Sequence, residues 1–308
     1  MTNSSRQTVS YLTKRFAEIG LEPDRRHGQN FLIDLNLIEL LVRSAKLGPQ
    51  DVVLEVGTGT GSLTGMIAAQ VAAVVTVEID EHLHQLAREE LVGIDNITFL
   101  KQDALRNKNN FSAEVLEAVR EQLKVDPARQ FKLVANLPYN IATPIVSNLL
   151  LTDIVPVSMT VTIQRELAER IVARPSTKDY SALSIWIQSI CDAEIVRIMP
   201  PSVFWPRPKV ESAILQIEYR PERRAEIVDL EFFHKFVRAL FFHRRKFLRS
   251  VVLSAFKGEL DKPHVDEVLS AMQLASDARA EQLEVERIKD LSERLRLKLQ
   301  EVKGSADA

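Results

Sequence analysis

The chain has 308 residues, 45% of them hydrophobic and 27% charged, with 40 lysines and arginines against 42 aspartates and glutamates. That is the balance of an ordinary globular protein with room for two domains, and a net charge of −2 excludes coating nucleic acid by bulk charge. The single cysteine, Cys191, excludes an intrachain disulfide and a cysteine-rich metal site, and its apolar surroundings predict a core thiol.

From Met1 to Arg15 there is no apolar stretch of signal-peptide length, and no later run could span a bilayer, so a cytoplasmic protein without a membrane partner is expected. His27 to Leu32 reads as a loop. Asp51 to Val56 then reads as a buried strand, followed by Gly57-Thr58-Gly59-Thr60-Gly61, a helix over Ser62 to Gln70, and a second strand over Val74 to Val77 that ends in Glu78-Ile79-Asp80. In such a β-loop-α-β unit the glycines let the backbone approach a ligand, and the acid can accept two ribose hydroxyls. The G-x-G-x-G spacing misses the dinucleotide fingerprint, since residue 62 is Ser and residue 64 is Thr. A charged Glu55 before the loop would repel phosphate and suit a cationic ligand. An adenosine ligand without phosphates is favoured, and S-adenosylmethionine (SAM) has both the ribose and the positive charge. A structural turn or another nucleotide remains the competing reading of this loop alone.

Ile97 to Leu100 reads as a third strand, followed by Lys101-Gln102-Asp103-Ala104, where Asp103 could hold an adenine amino group or simply cap a turn. Residues 106–129 contain a surface helix, Ser112 to Leu123. Phe131, Leu133, Val134 and Ala135 form the next strand, broken by Pro138 in Asn136-Leu137-Pro138-Tyr139. An exocyclic adenine amine is a poor nucleophile because its lone pair is delocalised. The Asn136 side-chain oxygen and a main-chain carbonyl near Pro138 could accept its two N–H bonds, and Tyr139 could stack on the base. An ordinary Asn-x-Pro turn is the alternative. Asn136 and the acids of the preceding strands all follow strand ends, where open α/β sheets bind ligands.

Arg220 to Asp229, with Pro221, reads as a linker, and helical signals follow. Between Phe232 and Gly258 lie Lys235, Arg238, Arg244, Arg245, Lys246, Arg249 and Lys257 without a carboxylate. On one helix, Phe233, Val237, Leu240, Phe241, Leu248, Val251 and Val252 would form an apolar stripe, with Arg238, Arg245 and Arg249 on a neighbouring face. That face is either a phosphate-tracking surface or a solvated one. Lys14, Arg15, Arg25, Arg26 and Lys209 could extend it. Val285, Ile288, Leu291, Leu295 and Val302 predict a final amphipathic helix, fraying from Gly304. The scattered histidines lack metal-ligand spacing and read as surface residues, so no metal is expected.

Several motifs together resemble the rRNA adenine dimethyltransferase family, from about Arg26 to the last helix. They are His27-Gly28-Gln29-Asn30-Phe31-Leu32, Glu55 to Gly61, Val77 to Asp80, Gln102-Asp103-Ala104 and Asn136-Leu137-Pro138-Tyr139-Asn140, then Pro200 to Ala213, Phe241 to Lys246 and Arg279-Ala280-Glu281. The resemblance implies an α/β fold: a Rossmann-like SAM-dependent methyltransferase sheet over residues 1–220 and a small C-terminal all-helical RNA-binding domain over 221–308. It implies that Asn30, Leu32, Gly57, Glu78, Asp103 and Asn136 bind SAM. Asn136, Leu137, Tyr139 and Phe204 form the catalytic group, with Tyr139 and Phe204 sandwiching the target adenine, and Arg238, Arg244, Arg245, Lys246 and Arg249 bind RNA. The implied reaction converts two adjacent adenines near the 3′ end of small-subunit rRNA, in a pre-small ribosomal subunit, to N6-dimethyladenine. A monomer is expected. The alternatives are the large-subunit methyltransferase of macrolide resistance and an assembly factor for which methylation is secondary. The His27 to Leu32 loop and the Phe204 to Ala213 segment favour the small-subunit branch. Thr58, Ala135 and Ser181 depart from residues frequent in the family.

Overall fold

The computed structural model describes residues 8–18, 20, 29–244 and 246–306. Its strands are β1 (Phe31–Leu32), β2 (Asp51–Val56), β3 (Ala73–Glu78), β4 (Ile97–Lys101), β5 (Leu105–Asn107), β6 (Asn110–Phe111), β7 (Gln130–Asn136), β8 (Ser158–Gln164), β9 (Cys191–Met199), β10 (Phe204–Trp205) and β11 (Ser212–Tyr219). Seven of them form one sheet in the order β4-β3-β2-β7-β8-β11-β9. From β4 to β8 the neighbours run parallel, and β11 joins β8 antiparallel. Chain order reverses between β2 and β7, so the segments leaving these two strands diverge and open a crevice at their carboxyl ends.

The strands predicted from apolar runs are present within a residue or two of the expected bounds. β2 and β3 bury all six of their residues, as strands covered on both faces must. On one face Val53, Val74, Val134 and Ile214 meet Ile38, Leu41 and Val42 of the helix Leu35–Ser44 and Leu63 and Ile67 of the helix Ser62–Ala68. The helix Ala113–Lys124 packs on β2, β3 and β7. β2 and β7 are further joined at their starting ends by a buried ion pair. Lys132 Nζ lies 2.8 Å from Asp51 Oδ2 and also donates to the Lys46 carbonyl.

The chain divides into two compact units, one of residues through 168 with 194–219, the other of 169–193 with 220–308. The second division falls beside the expected boundary near 220. The stretch 169–193, expected in the first domain, instead groups with the helices. Its helix Ala182–Ile190 is apolar at six of its nine positions, and buries Ile185, Trp186, Ile187 and Ile190 against the helices Leu230–Phe242 and Val285–Ala306. Ser181 caps that helix, its main-chain N–H donating to Ser184 Oγ. Trp186 packs on His234 with ring centroids 4.6 Å apart and planes tilted by 54°, which gives this histidine a packing role in place of the expected surface one. Burial pulls the His234 pKa down to about 4. Cys191 is buried, and burial pushes its thiol up to about 12.

The basic segment is not one helix. Leu230–Phe242 ends at His243, and a second helix, Leu248–Ala255, starts after Phe247. The single helical face expected for Arg238, Arg245 and Arg249 is therefore corrected: Arg238 and Arg249 lie on different helices, and Arg245 falls outside the described residues. The segment expected as a linker contains a short helix, Pro221–Ala225, and the last helix continues past Gly304. Among the described residues no helix is long and apolar enough to cross a membrane.

Candidate active site

Gly57 leaves β2 with φ +86°, and its N–H donates to the Val77 carbonyl at 2.8 Å. A Cβ here would meet the Pro138 ring at 3.3 Å, and one on Gly59 would meet the Phe31 ring at 3.3 Å. The loop thus runs between two rings, and glycine is required by space as well as by backbone angle. Contact with Pro138 joins the glycine loop to the turn that carries Asn136.

Glu78 ends β3, almost buried. One carboxylate oxygen accepts from Gly59 N and the other from Asp80 N, both at 3.0 Å. Burial raises its pKa, and the main-chain donors oppose that rise. Each oxygen keeps a lone pair, which is what two adjacent ribose hydroxyls require. Asp80 caps the following helix, accepting from Leu83 N. Asp103 forms a local turn through Oδ1, which accepts from Leu105 N, and is otherwise exposed. The turn thus uses one carboxylate oxygen, and Oδ2 has no hydrogen bond among the described residues. Gly57, Glu78, Ile79, Asp103, Pro138 and Asn140 are among the residues lining one groove of about 100 Å³.

Asn136 ends β7 beside this groove. Its Nδ2 donates to the Asn30 carbonyl at 2.9 Å, a bond that fixes which end of the amide faces away. Oδ1 takes no hydrogen bond among the described residues and is the end left to accept one. Leu137 has a buried side chain, and its N–H donates to the Thr162 carbonyl, pinning the turn to β8. Tyr139 is half-buried, and its hydroxyl lies 2.5 Å from Oγ of Ser212, itself fully buried at the start of β11. Sequence reasoning missed Ser212, which holds the ring of Tyr139 by its far end. Its only signal was the position next to Pro206-Arg207-Pro208-Lys209.

The expected aromatic sandwich is not assembled. Phe204 is 2% exposed and packs in the core with Leu32, Ile38, Met199 and Ile214. β1 pairs antiparallel with β10, placing Phe204 opposite Leu32 and Trp205 opposite Phe31. Cross-strand partners share a face, so Phe204 follows the buried Leu32 inward and leaves Trp205 to pack on Phe16 at 5.5 Å. The same ribbon unites two motifs that lie far apart in sequence. His27 and Gly28, expected to contribute to the first of them, lie outside the described residues, as do Arg25 and Arg26.

The charge expected on Glu55 is also corrected. Glu55 is fully buried and does not line the groove. Its Oε2 accepts from Thr64 and Thr76 at 2.6 and 2.7 Å, while Oε1 has no partner among the described residues. Burial pushes its pKa up to about 8 against those hydrogen bonds, so the group is protonated at neutral pH. Thr76 in turn shares a 2.6 Å hydrogen bond with the Thr58 hydroxyl. Thr58 thereby anchors the glycine loop to a buried polar chain.

In the helical unit the basic residues differ in their partners. Arg249 pairs with both oxygens of Asp266. Arg244 donates to Glu281 and to the carbonyls of Thr177 and Lys178. Arg238 and Lys246 are exposed and form no ion pair among the described residues.

A family profile described as "Ribosomal RNA adenine dimethylase" matches residues 22–294. The "Ribosomal RNA small subunit methyltransferase A" of Caldanaerobacter subterraneus subsp. tengcongensis is 37% identical over 282 residues, covering 91% of this chain and 100% of that protein. Among solved structures, the 23S rRNA methyltransferase ErmE aligns with a TM-score of 0.61 at 27% identity, covering 87% of this chain and 100% of its own. A dimethyladenosine transferase from Plasmodium falciparum shares the fold, with a TM-score of 0.72 at 22% identity over 86% of this chain and 97% of its own.

Proposed function

The chain belongs to the ribosomal RNA adenine dimethylase family, and on that premise we propose that it dimethylates the N6 amines of two adjacent adenines near the 3′ end of small-subunit rRNA, using SAM. The observation that carries this reading is Asn136, whose amide is oriented by Asn30 so that Oδ1 is left without a hydrogen bond among the described residues, two residues before the Pro138 that lines the groove.

The residues present fit SAM. Glu78 retains two acceptor positions for the ribose, Asp103 has a second oxygen for the adenine amine, and Gly57 lines the same groove without a side chain. When bound, SAM supplies a methyl group on a positively charged sulfur, so its acceptor needs no strong base. The chain's task is then to position the amine and to stabilise the charge that develops on nitrogen. Asn136 Oδ1 accepts one N–H of the amine, and the carbonyl beside Pro138, on Leu137, takes the other. An amine already carrying one methyl still has an N–H for Oδ1, which permits the second transfer. Tyr139 offers its ring to the flipped base, held upright by Ser212. Phe204 supports the β1–β10 ribbon from the core. Leu32 and Asn30 bring that ribbon to the site.

Higher identity to the small-subunit relative than to ErmE supports the small-subunit substrate. The test is tritiated methyl transfer to small subunits lacking these methyl groups, with large-subunit rRNA and free adenosine alongside. Label is expected as N6-dimethyladenine in the small subunit alone. Label in large-subunit rRNA would move the substrate to the resistance class, and tight subunit binding without label would leave an assembly factor.

A further inference from the structure

The helical unit has a groove of about 360 Å³, larger than the one beside Asn136. Arg238, Phe242 and His243 line it from the first basic helix and its end, Val251, Ser254 and Ala255 from the second. Among the described residues no carboxylate lines it. Phe242 is 81% exposed, and the His243 ring meets it edge-on at 4.9 Å and 79°. An aromatic ring left this open forgoes the stabilisation that burial gives.

Three features of the groove agree in chemistry. The Phe242 face is sequence-tolerant stacking surface, Ser254 and Ala255 add only small side chains to the lining, and Arg238 supplies a guanidinium without an ion pair among the described residues. Arg244 and Arg249, close in sequence, are held by Glu281 and Asp266 and lack that availability. A cavity of this size is within the range that encloses a small planar ligand. We propose that this groove captures an unpaired nucleobase of the substrate RNA, stacked on Phe242 with a flanking phosphate on Arg238. It is a second base-binding site, carried by the helical unit, while the reacting adenine belongs to the sheet unit. The inference rests on the rRNA reading above. Positive charge without a lining acid favours RNA over an apolar protein segment.

The test compares Phe242→Ala, Phe242→Trp and Arg238→Gln with the unaltered full chain. Binding is measured to unmethylated small subunits and to protein-free small-subunit rRNA at fixed salt. Phe242→Ala is expected to weaken binding to both about 5- to 100-fold, the effect of losing one base–aromatic stack, and Phe242→Trp to keep it. Arg238→Gln should weaken binding several-fold and make the salt dependence shallower by about one ion. SAM affinity should stay constant in all three. Phe242 is exposed at a helix end, so its loss leaves the core intact. Binding by Phe242→Ala within twofold of the unaltered chain overturns the proposal, as does a loss seen with subunits but not with protein-free rRNA, which would make the occupant a ribosomal protein. Either result leaves methyl transfer by the unaltered chain in place. Absence of that transfer overturns both the groove and the function on which it rests.

Discussion

In the sheet unit Gly57, Glu78, Asp103 and Asn136 lie at or just beyond the carboxyl ends of four parallel strands, and the order of those strands brings the first three into one groove with Pro138 of the turn after Asn136. In the helical unit Arg238, Arg244 and Arg249 are near neighbours in sequence, yet one is exposed over a groove and two are tied to acids from other segments. Backbone position thus assigns function in the first unit, while in the second it depends on which charges folding leaves unpaired. A strand end has a fixed direction. A long cation on a helix can swing to whatever acid comes within reach.

The sharpest test of the sheet side is Asn136→Ala. Loss of a single preorganised acceptor should lower methyl transfer by about 100- to 1,000-fold, measured as single-turnover rate on small subunits. A rate near that of the unaltered chain would break the rule that the strand end carries the chemistry. Next is Phe204→Ala, which should cost about 3–5 kcal/mol of stability as a core cavity and lower Tm by many degrees in a calorimetric scan. A stable variant that binds SAM yet fails on RNA would return this ring to the active site.

Smaller effects concern positioning. Ser212→Ala and Tyr139→Phe each remove the same hydrogen bond, so each should lower kcat/KM by about 2- to 10-fold, with the double variant no worse than either single one. Additive losses would separate the two residues. On the helical side, Arg249→Gln should change RNA affinity less than twofold while Arg238→Gln changes it more, in the same RNA-binding measurement at fixed salt. Equal losses would restore the uniform basic face.

Last is Glu55→Gln. The folded-state pKa, about 8, lies above the ordinary carboxylate value, so folding favours the protonated form. The resulting stability is complete below pH 4.5 and declines as pH rises toward 8. The amide should flatten that decline, by about 2–4 °C in Tm for each kcal/mol removed. Parallel Tm–pH curves for the two proteins would show that Glu55 ionises normally.

The strands were legible because each is an apolar run closed by a glycine, an acid or Asn-x-Pro, and burial on both faces gives such runs one interpretation. Phe204 was not, since its inward orientation comes from pairing with Leu32, far away in the chain. Nothing local in Phe204-Trp205-Pro206 says which aromatic faces in. The break at His243 escaped because the apolar spacing continues on the far side of the turn, where Leu248, Val251 and Val252 are again buried. Glu55 looked like a site residue because it adjoins the glycines, but alternation along β2 directs it at Thr64 and Thr76 instead of the crevice.

The β1–β10 ribbon has a consequence for the order of synthesis. Phe31 pairs with Trp205, so the first strand has no partner until the ribosome has added more than half of the chain. At about 5–20 residues per second that interval is roughly 10–35 s. Throughout it Asn30 lacks the ribbon that sets its carbonyl against Asn136. A nascent chain can complete its parallel strands, which end at residue 164, well before residue 205 is present to close the ribbon.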